Sequence, residues 1–300
     1  MSASQTNQKD QGLLSNISAR RLSRYIRNFL LFILLLLITI IFILPYAWMF
    51  FSSFRSTDEI FRYTFPLSWR SLIPTSPTLE NYRDIFFKWG FGHYIWNSLI
   101  AASAQMLGTL ILCSTAAFAL SRMYFKGRDL IFAIIIITSM MPFEAIIVPL
   151  YVVVRSLGLT SSYASLFLPW IANAFGIFLL RQTFLEIPRD YDEAAKVEGA
   201  SYFQIFWHVI LPNVRPALVT VALISFLLSW NAFMWPLIVM QDPNKQVVQV
   251  AIATFTQPGE LPLWGNIFAG ATAATIPILI VFLLLQRYYV RGVVMSGIKG

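Results

Sequence analysis

The sequence predicts an all-α integral membrane protein with six transmembrane helices and both termini cytoplasmic, and three observations predict it. Hydrophobic residues fill 57% of the 300 positions and charged residues only 12%, against roughly 25% charged in a soluble domain. Six stretches reach the ~20 apolar residues that a helix needs to cross ~30 Å of hydrocarbon. With the N-terminus inside, fifteen of the 22 Lys and Arg fall on the inner side and seven on the outer, the bias that orients helices in a bilayer. The same bias accounts for the net charge of +8, so the charge implies a lipid bilayer partner and no nucleic acid.

Residues 1–28 read as a cytoplasmic tail and basic anchor. The first ~19 are polar with little to bury, so a mobile tail is expected. Arg20, Arg21, Arg24 and Arg27 then precede the first span and suit an anionic membrane surface. A transmembrane domain over 29–290 follows, with spans at Phe29–Ser53, Tyr94–Ser121, Leu130–Val154, Tyr163–Phe184, Ala217–Met240 and Ile267–Val290. The first span is longer than a signal-peptide core and has no small-residue cleavage site after it, so it reads as a retained anchor. Between Phe54 and Gly92, Leu79, Tyr82, Ile85 and Phe86 recur at helical spacing after Pro77, which predicts an amphipathic helix on the outer surface. The segment Gln241–Asn266, with Pro243, Pro258 and Pro262, reads as a packed loop. Pro142, Pro149, Pro169 and Pro277 fall inside spans, where proline frees a carbonyl and kinks the axis. Residues 291–300 form a cytoplasmic C-terminal tail.

Several chemistries are missing from the sequence. No G-x-x-x-x-G-K-[ST] occurs, so the chain has no phosphate-cradling loop with which to hydrolyse ATP. His93 and His208 fall on opposite sides of the membrane in this topology, and Cys113 is the only cysteine; a metal site, a His-based triad and an internal disulfide are therefore not expected. An enzyme is the poorer reading.

One cytoplasmic segment, 186–216, is too polar to be membrane and too regular for a loose loop. In "DYDEAAKVEGASYFQIFWHVILPNVRPAL" (Asp190–Leu218), Asp190 and Glu193 have the spacing of an N-terminal cap, and Gly199 ends the helix. Ser201 and Gln204 then form an S-x-x-Q capping box, and Phe203, Phe206, Trp207 and Ile210 make one apolar stripe. Pro212 and Pro216 close that helix and restart the chain as the fifth span. Ala194 and Ala195 beside Glu193 would let another protein's surface approach the first helix closely while the carboxylate takes a cationic partner.

The run "EAAKVEGASYFQIFWHVILPNVRPAL" closely resembles the EAA loop of permease subunits in binding-protein-dependent ABC importers. "PTLENYRDIF" (Pro77–Phe86), "GIFLLRQTFLEIP" (Gly176–Pro188), "SWNAFMWPLI" (Ser229–Ile238) and "GVVMSGIKG" (Gly292–Gly300) resemble the carbohydrate branch, in particular the second permease of maltose-type systems. Glu198 stands where that family more often has Asp, which keeps the charge. The resemblance implies a coupling helix pair between spans 4 and 5, with Glu193, Ala194, Ala195, Glu198, Gly199, Ala200 and Pro212 at the contact with an ATP-binding subunit. It implies that the tail Met295–Gly300 also reaches the ATPases. The partners it implies are a second permease, two ATP-binding subunits that hold ATP and Mg, an extracytoplasmic solute-binding protein and a sugar, in the bacterial cytoplasmic membrane. No cofactor is expected on this chain.

Glu144, Asn173 and Asn231 are polar groups at membrane depth, which makes them candidates for the substrate path or for helix packing. A polyol, glycerol phosphate or another small solute is an alternative cargo. An ion-coupled secondary transporter is a more distant reading, since the sequence has no internal repeat and Glu144 is its one deep acid.

Overall fold

A computed structural model describes residues 3–62, 68–256 and 261–296. Among these the chain is helical throughout, with no strand: α1 (Ala3–Ser52), α2 (Thr57–Arg62), α3 (Glu80–Arg83), α4 (Phe91–Arg122), α5 (Arg128–Thr138), α6 (Phe143–Ser156), α7 (Tyr163–Phe167), α8 (Ala174–Glu186), α9 (Asp190–Val197), α10 (Tyr202–Gln204), α11 (Leu211–Asn213), α12 (Arg215–Trp230), α13 (Met234–Val239), α14 (Val248–Thr254) and α15 (Trp264–Ser296). Every backbone polar group satisfied within its own helix is what a hydrocarbon solvent demands.

Three segments are single unbroken helices long and apolar enough to cross a membrane: Arg24–Ser52, Phe91–Arg122 and Trp264–Gln286. The other expected spans are broken. The third bends by 104° between α5 and α6, and the fourth by 46° between Tyr163–Trp170 and α8. Pro142 caps α6 with extended dihedrals (φ −66°, ψ 139°), so its ring and the restricted residue before it stop α5 rather than merely kink it. Pro149 and Pro277, by contrast, lie inside intact helices. The expected fifth span divides at Asn231, leaving α12 with 16 residues, about 24 Å at 1.5 Å per residue.

Two further expectations change. Helix α1 begins at Ala3 rather than in the basic stretch, because a helix already nucleated by the span propagates cheaply through residues that lack proline. The segment expected as a packed loop contains α14, which buries Val248, Val250 and Ala251. The tail beyond Ser296 lies outside the described residues.

Helix α4 is the centre of the bundle and packs on α8 and α12; α12 also meets α15, which in turn meets α1. Small residues allow these approaches: Gly176 of α8 sits against Cys113 of α4 and Val221 of α12. The membrane-suited part of α1 buries none of its most apolar window and presents its side chains outward, as a helix solvated by lipid or by another chain does.

The amphipathic helix expected after Pro77 is present as α3, continued by a π turn over Asp84–Lys88. Its buried face differs from the expected stripe: Leu79 and Phe86 are exposed, while Asn81 and Ile85 are buried. The Asn81 amide donates to the carbonyls of Ser53 (2.9 Å) and Arg55 (2.7 Å), tying α3 to the end of α1. Gly265 makes room for it, since a Cβ there would lie 2.4 Å from Asn81 Oδ1. Close by, Glu59 accepts from both the hydroxyl and the N–H of Thr75, each at 2.6 Å. Burial disfavours the Glu59 charge, but these bonds, the Ser76 N–H and the Arg55 charge outweigh it and hold the carboxyl below the usual carboxylate range.

Candidate functional site

The polar segment folds as two short helices meeting at a corner. Helix α9 starts without the expected side-chain cap: Arg189 already has helical dihedrals (φ −68°, ψ −21°) and Asp190 is the first helical residue. Asp190, Asp192 and Glu193 fill the first turn, where carboxylates offset the positive end of the helix dipole. The helix ends in a Schellman motif. Gly199 adopts φ +85°, its N–H donates to Lys196 O, and the Ala200 N–H donates to Ala195 O, both at 2.9 Å. Nothing lies within 4 Å of a Cβ built on Gly199, so the left-handed conformation, and not crowding, selects glycine there. Lys196 closes over the corner with its ammonium 4.9 Å from the Tyr202 ring centroid.

The second helix opens with the expected capping box: Gln204 N–H donates to Ser201 Oγ (3.3 Å) and Ser201 N–H to Gln204 Oε1 (2.7 Å). It then becomes a π turn over Ile205–Ile210, and the expected stripe splits. Phe206 and Ile210 are buried together with Ile205, with Phe206 against Phe118 of α4 at 5.1 Å. Phe203 and Trp207 face outward, 71% and 56% exposed, and stack on each other at 6.4 Å. Pro212 lies exposed in the first turn of α11, and the chain turns by 83° into α12.

Glu193, Ala194, Glu198 and Gly199 are exposed, whereas Ala195 and Ala200 are half-buried and pack on the core below. Only Ala194 of the two alanines beside Glu193 therefore lies open to another surface. The opposite face of α9 holds what sequence reasoning missed. Asp192 is buried and pairs with Arg122, the last residue of α4, at 3.2 Å. Arg122 also donates to the carbonyls of Phe184 (2.7 Å) and Ile187 (2.9 Å) at the end of α8. One guanidinium thus joins the helix pair to both α4 and α8. Arg189 adds a second fastening: it donates to the Tyr124 hydroxyl and to Ser121 O, with its guanidinium 4.9 Å from the Tyr124 ring centroid. The only signal in the sequence was a lone Arg closing an apolar span.

The three membrane-depth candidates do not converge. Asn173 caps α8, its Oδ1 accepting from Gly176 N–H at 2.8 Å, and lines a cavity of about 720 Å³. Glu144 is exposed in the first turn of α6, and Asn231 is exposed at the end of α12, donating to Leu227 O at 2.9 Å; neither lines that cavity. His93 meets the carbonyl of Asn244, and His208 that of Gln204 at 3.2 Å.

Residues 110–295, which include Arg122 and the whole of α8 to α12, match the family described as the inner membrane component of binding-protein-dependent transport systems. The chain is 35% identical, over 92% of its length and 98% of the relative's, to the trehalose/maltose transport system permease protein MalG of Thermococcus litoralis. It is 34% identical to the probable ABC transporter permease protein YurM of Bacillus subtilis, over 90% and 87% of the two chains. To the arabinooligosaccharides transport system permease protein AraQ of Halalkalibacterium halodurans it is 31% identical, over 94% and 100%. Its fold is similar to that of a crystallised bacterial ABC transporter for import of the acidic polysaccharide alginate (TM-score 0.77, 24% identity, 89% of this chain and 98% of that one). This chain therefore belongs to the family of inner membrane components of binding-protein-dependent transport systems.

Proposed function

We propose that this chain is one of two permease subunits of an ATP-driven importer that moves a saccharide delivered by a soluble binding protein. In this reading the three long helices and three broken segments make six spans with both termini cytoplasmic, and α9 and α10 project towards two ATP-binding subunits. Glu193 takes a cationic side chain of the ATPase, Ala194 admits its backbone, and the stacked Phe203 and Trp207 cover an apolar patch on it. Gly199 holds the corner, and Glu198, Ala200 and Pro212 set the ends of the two helices. ATP and Mg bind in the partner subunits. The C-terminal tail reaches the same subunits.

The observation that carries this reading is the joint at Arg122: a helix pair with exposed Glu193, Phe203 and Trp207 is fastened on its other side to α4 and to the end of α8. A surface built so transmits displacement to the bundle rather than absorbing it. The saccharide cargo is supported by the relatives, whose names specify trehalose or maltose, arabinooligosaccharides and lactose. Others are named for sn-glycerol-3-phosphate, which keeps the polyol phosphate reading as a second one.

The test is co-expression with a partner permease, ATPase and binding protein encoded beside this chain, followed by ATPase and transport assays in proteoliposomes. The complex should hydrolyse ATP faster when the liganded binding protein is added, and Glu193→Lys or Gly199→Asp should abolish that stimulation. Wild-type stimulation in both variants, or no complex at all, refutes the assignment.

A further inference from the structure

The cavity of about 720 Å³ beside Asn173 has the size of a ligand pocket, ~300–1,000 Å³, and its walls are chemically specific. Trp170, Phe175 and Phe233 supply aromatic surface, and Gln105, Asn173 and Ser229 supply polar groups. Trp170 is held in place: it packs against Phe143 at 5.7 Å and edge-on to Trp235 at 5.9 Å, and Trp235 is itself fixed by its Nε1–H donating to Ser165 O at 2.8 Å. Phe233 and Phe175 keep open faces, 40% and 48% exposed.

The polar groups are only half used. Buried Gln105 donates from Nε2 to Ser225 O at 3.4 Å, which leaves its Oε1 as an acceptor. Asn173 spends Oδ1 on Gly176 N–H, which leaves its amide N–H₂ as a donor and removes one N–H that the start of α8 would otherwise offer an anion. A pyranose ring, with apolar C–H faces and a hydroxyl edge, matches aromatic faces flanked by one amide donor and one amide acceptor.

No charged side chain lines the cavity among the described residues. A phosphate or carboxylate moved there from water would lose its hydration without gaining an Arg or Lys. Glu144 follows the lining residue Phe143 but does not itself line the cavity, so the nearest formal charge in sequence is also of the wrong sign for an anion.

We propose that this cavity is a saccharide subsite within the subunit itself, selective for a neutral sugar unit and closed to phosphate esters and uronates. The proposal rests on the reading of the chain as a sugar importer subunit. It makes this permease a contributor to cargo selection and not a passive half of the path.

Saturation-transfer NMR on the complete importer in nanodiscs, without binding protein, tests it with three probes: maltose, sn-glycerol 3-phosphate and digalacturonate. Maltose should receive saturation and the two anions should not. Phe233→Ala, at an exposed position, and Gln105→Met, which preserves volume, should each weaken maltose binding about tenfold, the equivalent of one lost stacking or amide contact. Binding-protein-stimulated ATPase activity in the same particles shows that the complex is intact. Saturation of the anions to the same degree, maltose binding unchanged in both variants, or no maltose signal from an ATPase-competent complex each overturns the subsite. All three leave the importer assignment standing, whereas failure to assemble any ATPase-competent complex sinks the importer assignment itself.

Discussion

Removing either partner of the Arg122–Asp192 pair should loosen the helix pair α9–α10 without unfolding the bundle. Arg122 has a side chain only 3% exposed and Asp192 one 11% exposed, so neither charge is rehydrated when its partner goes. Breaking a buried pair from one side costs ~3–5 kcal/mol. Asp192→Ala belongs at the lower end, because Arg122 retains the carbonyls of Phe184 and Ile187. Arg122→Met belongs at the upper end, since it strands a carboxylate and two helix-terminal carbonyls together. Hydrogen exchange of the purified complex reads the effect locally. A loss of about 3 kcal/mol should raise amide exchange across α9 and the α10 turn by roughly a hundredfold, while α4 and α15 stay protected. The double variant Arg122→Met/Asp192→Ala should cost less than the sum of the two, by about 2 kcal/mol, because it no longer buries an unpaired charge. Additivity to within ~0.5 kcal/mol, or exchange confined to the membrane helices, would refute the idea that this pair fastens the loop.

Gly199→Ala forces a Cβ into the left-handed region at φ +85° and should cost about 1–2 kcal/mol, read as faster exchange at the α9 end with the helix content of the bundle intact. Gly265→Ala brings a Cβ to 2.4 Å from an Asn81 amide already held by two carbonyls. That overpacking should cost about 1–3 kcal/mol, seen as a lower Tm that does not fall further when Asn81→Ala is added. For Glu59, whose carboxyl is held below its ordinary range, the stabilisation is complete above the unfolded carboxylate pKa and is lost as pH falls through the depressed folded one. Acidification into that window should lower the Tm of the wild type more than that of Glu59→Gln, and equal slopes would exclude the Thr75 bonds as its source.

What could be read from the sequence was local, and what could not was remote or a matter of phase. The capping box at Ser201 and Gln204 and the glycine corner at 199 each involve groups three to five residues apart, so the pattern and the geometry are the same fact. Arg122 and Asp192 meet from different elements, and no spacing rule connects them. The cavity likewise draws its walls from α4, α5, α6, α7, α8, α12, α13 and the breaks between them; of the three membrane-depth polar residues only Asn173 lines it, although neighbours of the other two, Phe143 and Ala232 among them, do.

The aromatic stripe shows how a correct helix can still present the wrong face. Phe203, Phe206, Trp207 and Ile210 share a side only if every turn has 3.6 residues. The π turn over Ile205–Ile210 inserts one extra residue, a shift of about 100°. That shift brings Ile205 into the core with Phe206 and Ile210 and leaves Phe203 and Trp207 on the outside. The cost is two large aromatic groups facing away from the bundle on a segment that also carries Val197 at 89% exposure. Single exposed apolar residues need no explanation, but a stacked, exposed aromatic pair does. Had the helix stayed regular, Phe203 and Trp207 would have kept to one face with Phe206 and Ile210, and the docking surface proposed above would have been left with Glu193 and Ala194. If α9 and α10 dock on an ATP-binding subunit as proposed, the π turn belongs to that surface, and a variant that restores α-helical phase, deletion of Val209, should leave the protein able to insert in the membrane yet unable to retain an ATP-binding subunit through affinity purification. Full retention by that deletion would show that the outward aromatic pair contributes nothing to the contact.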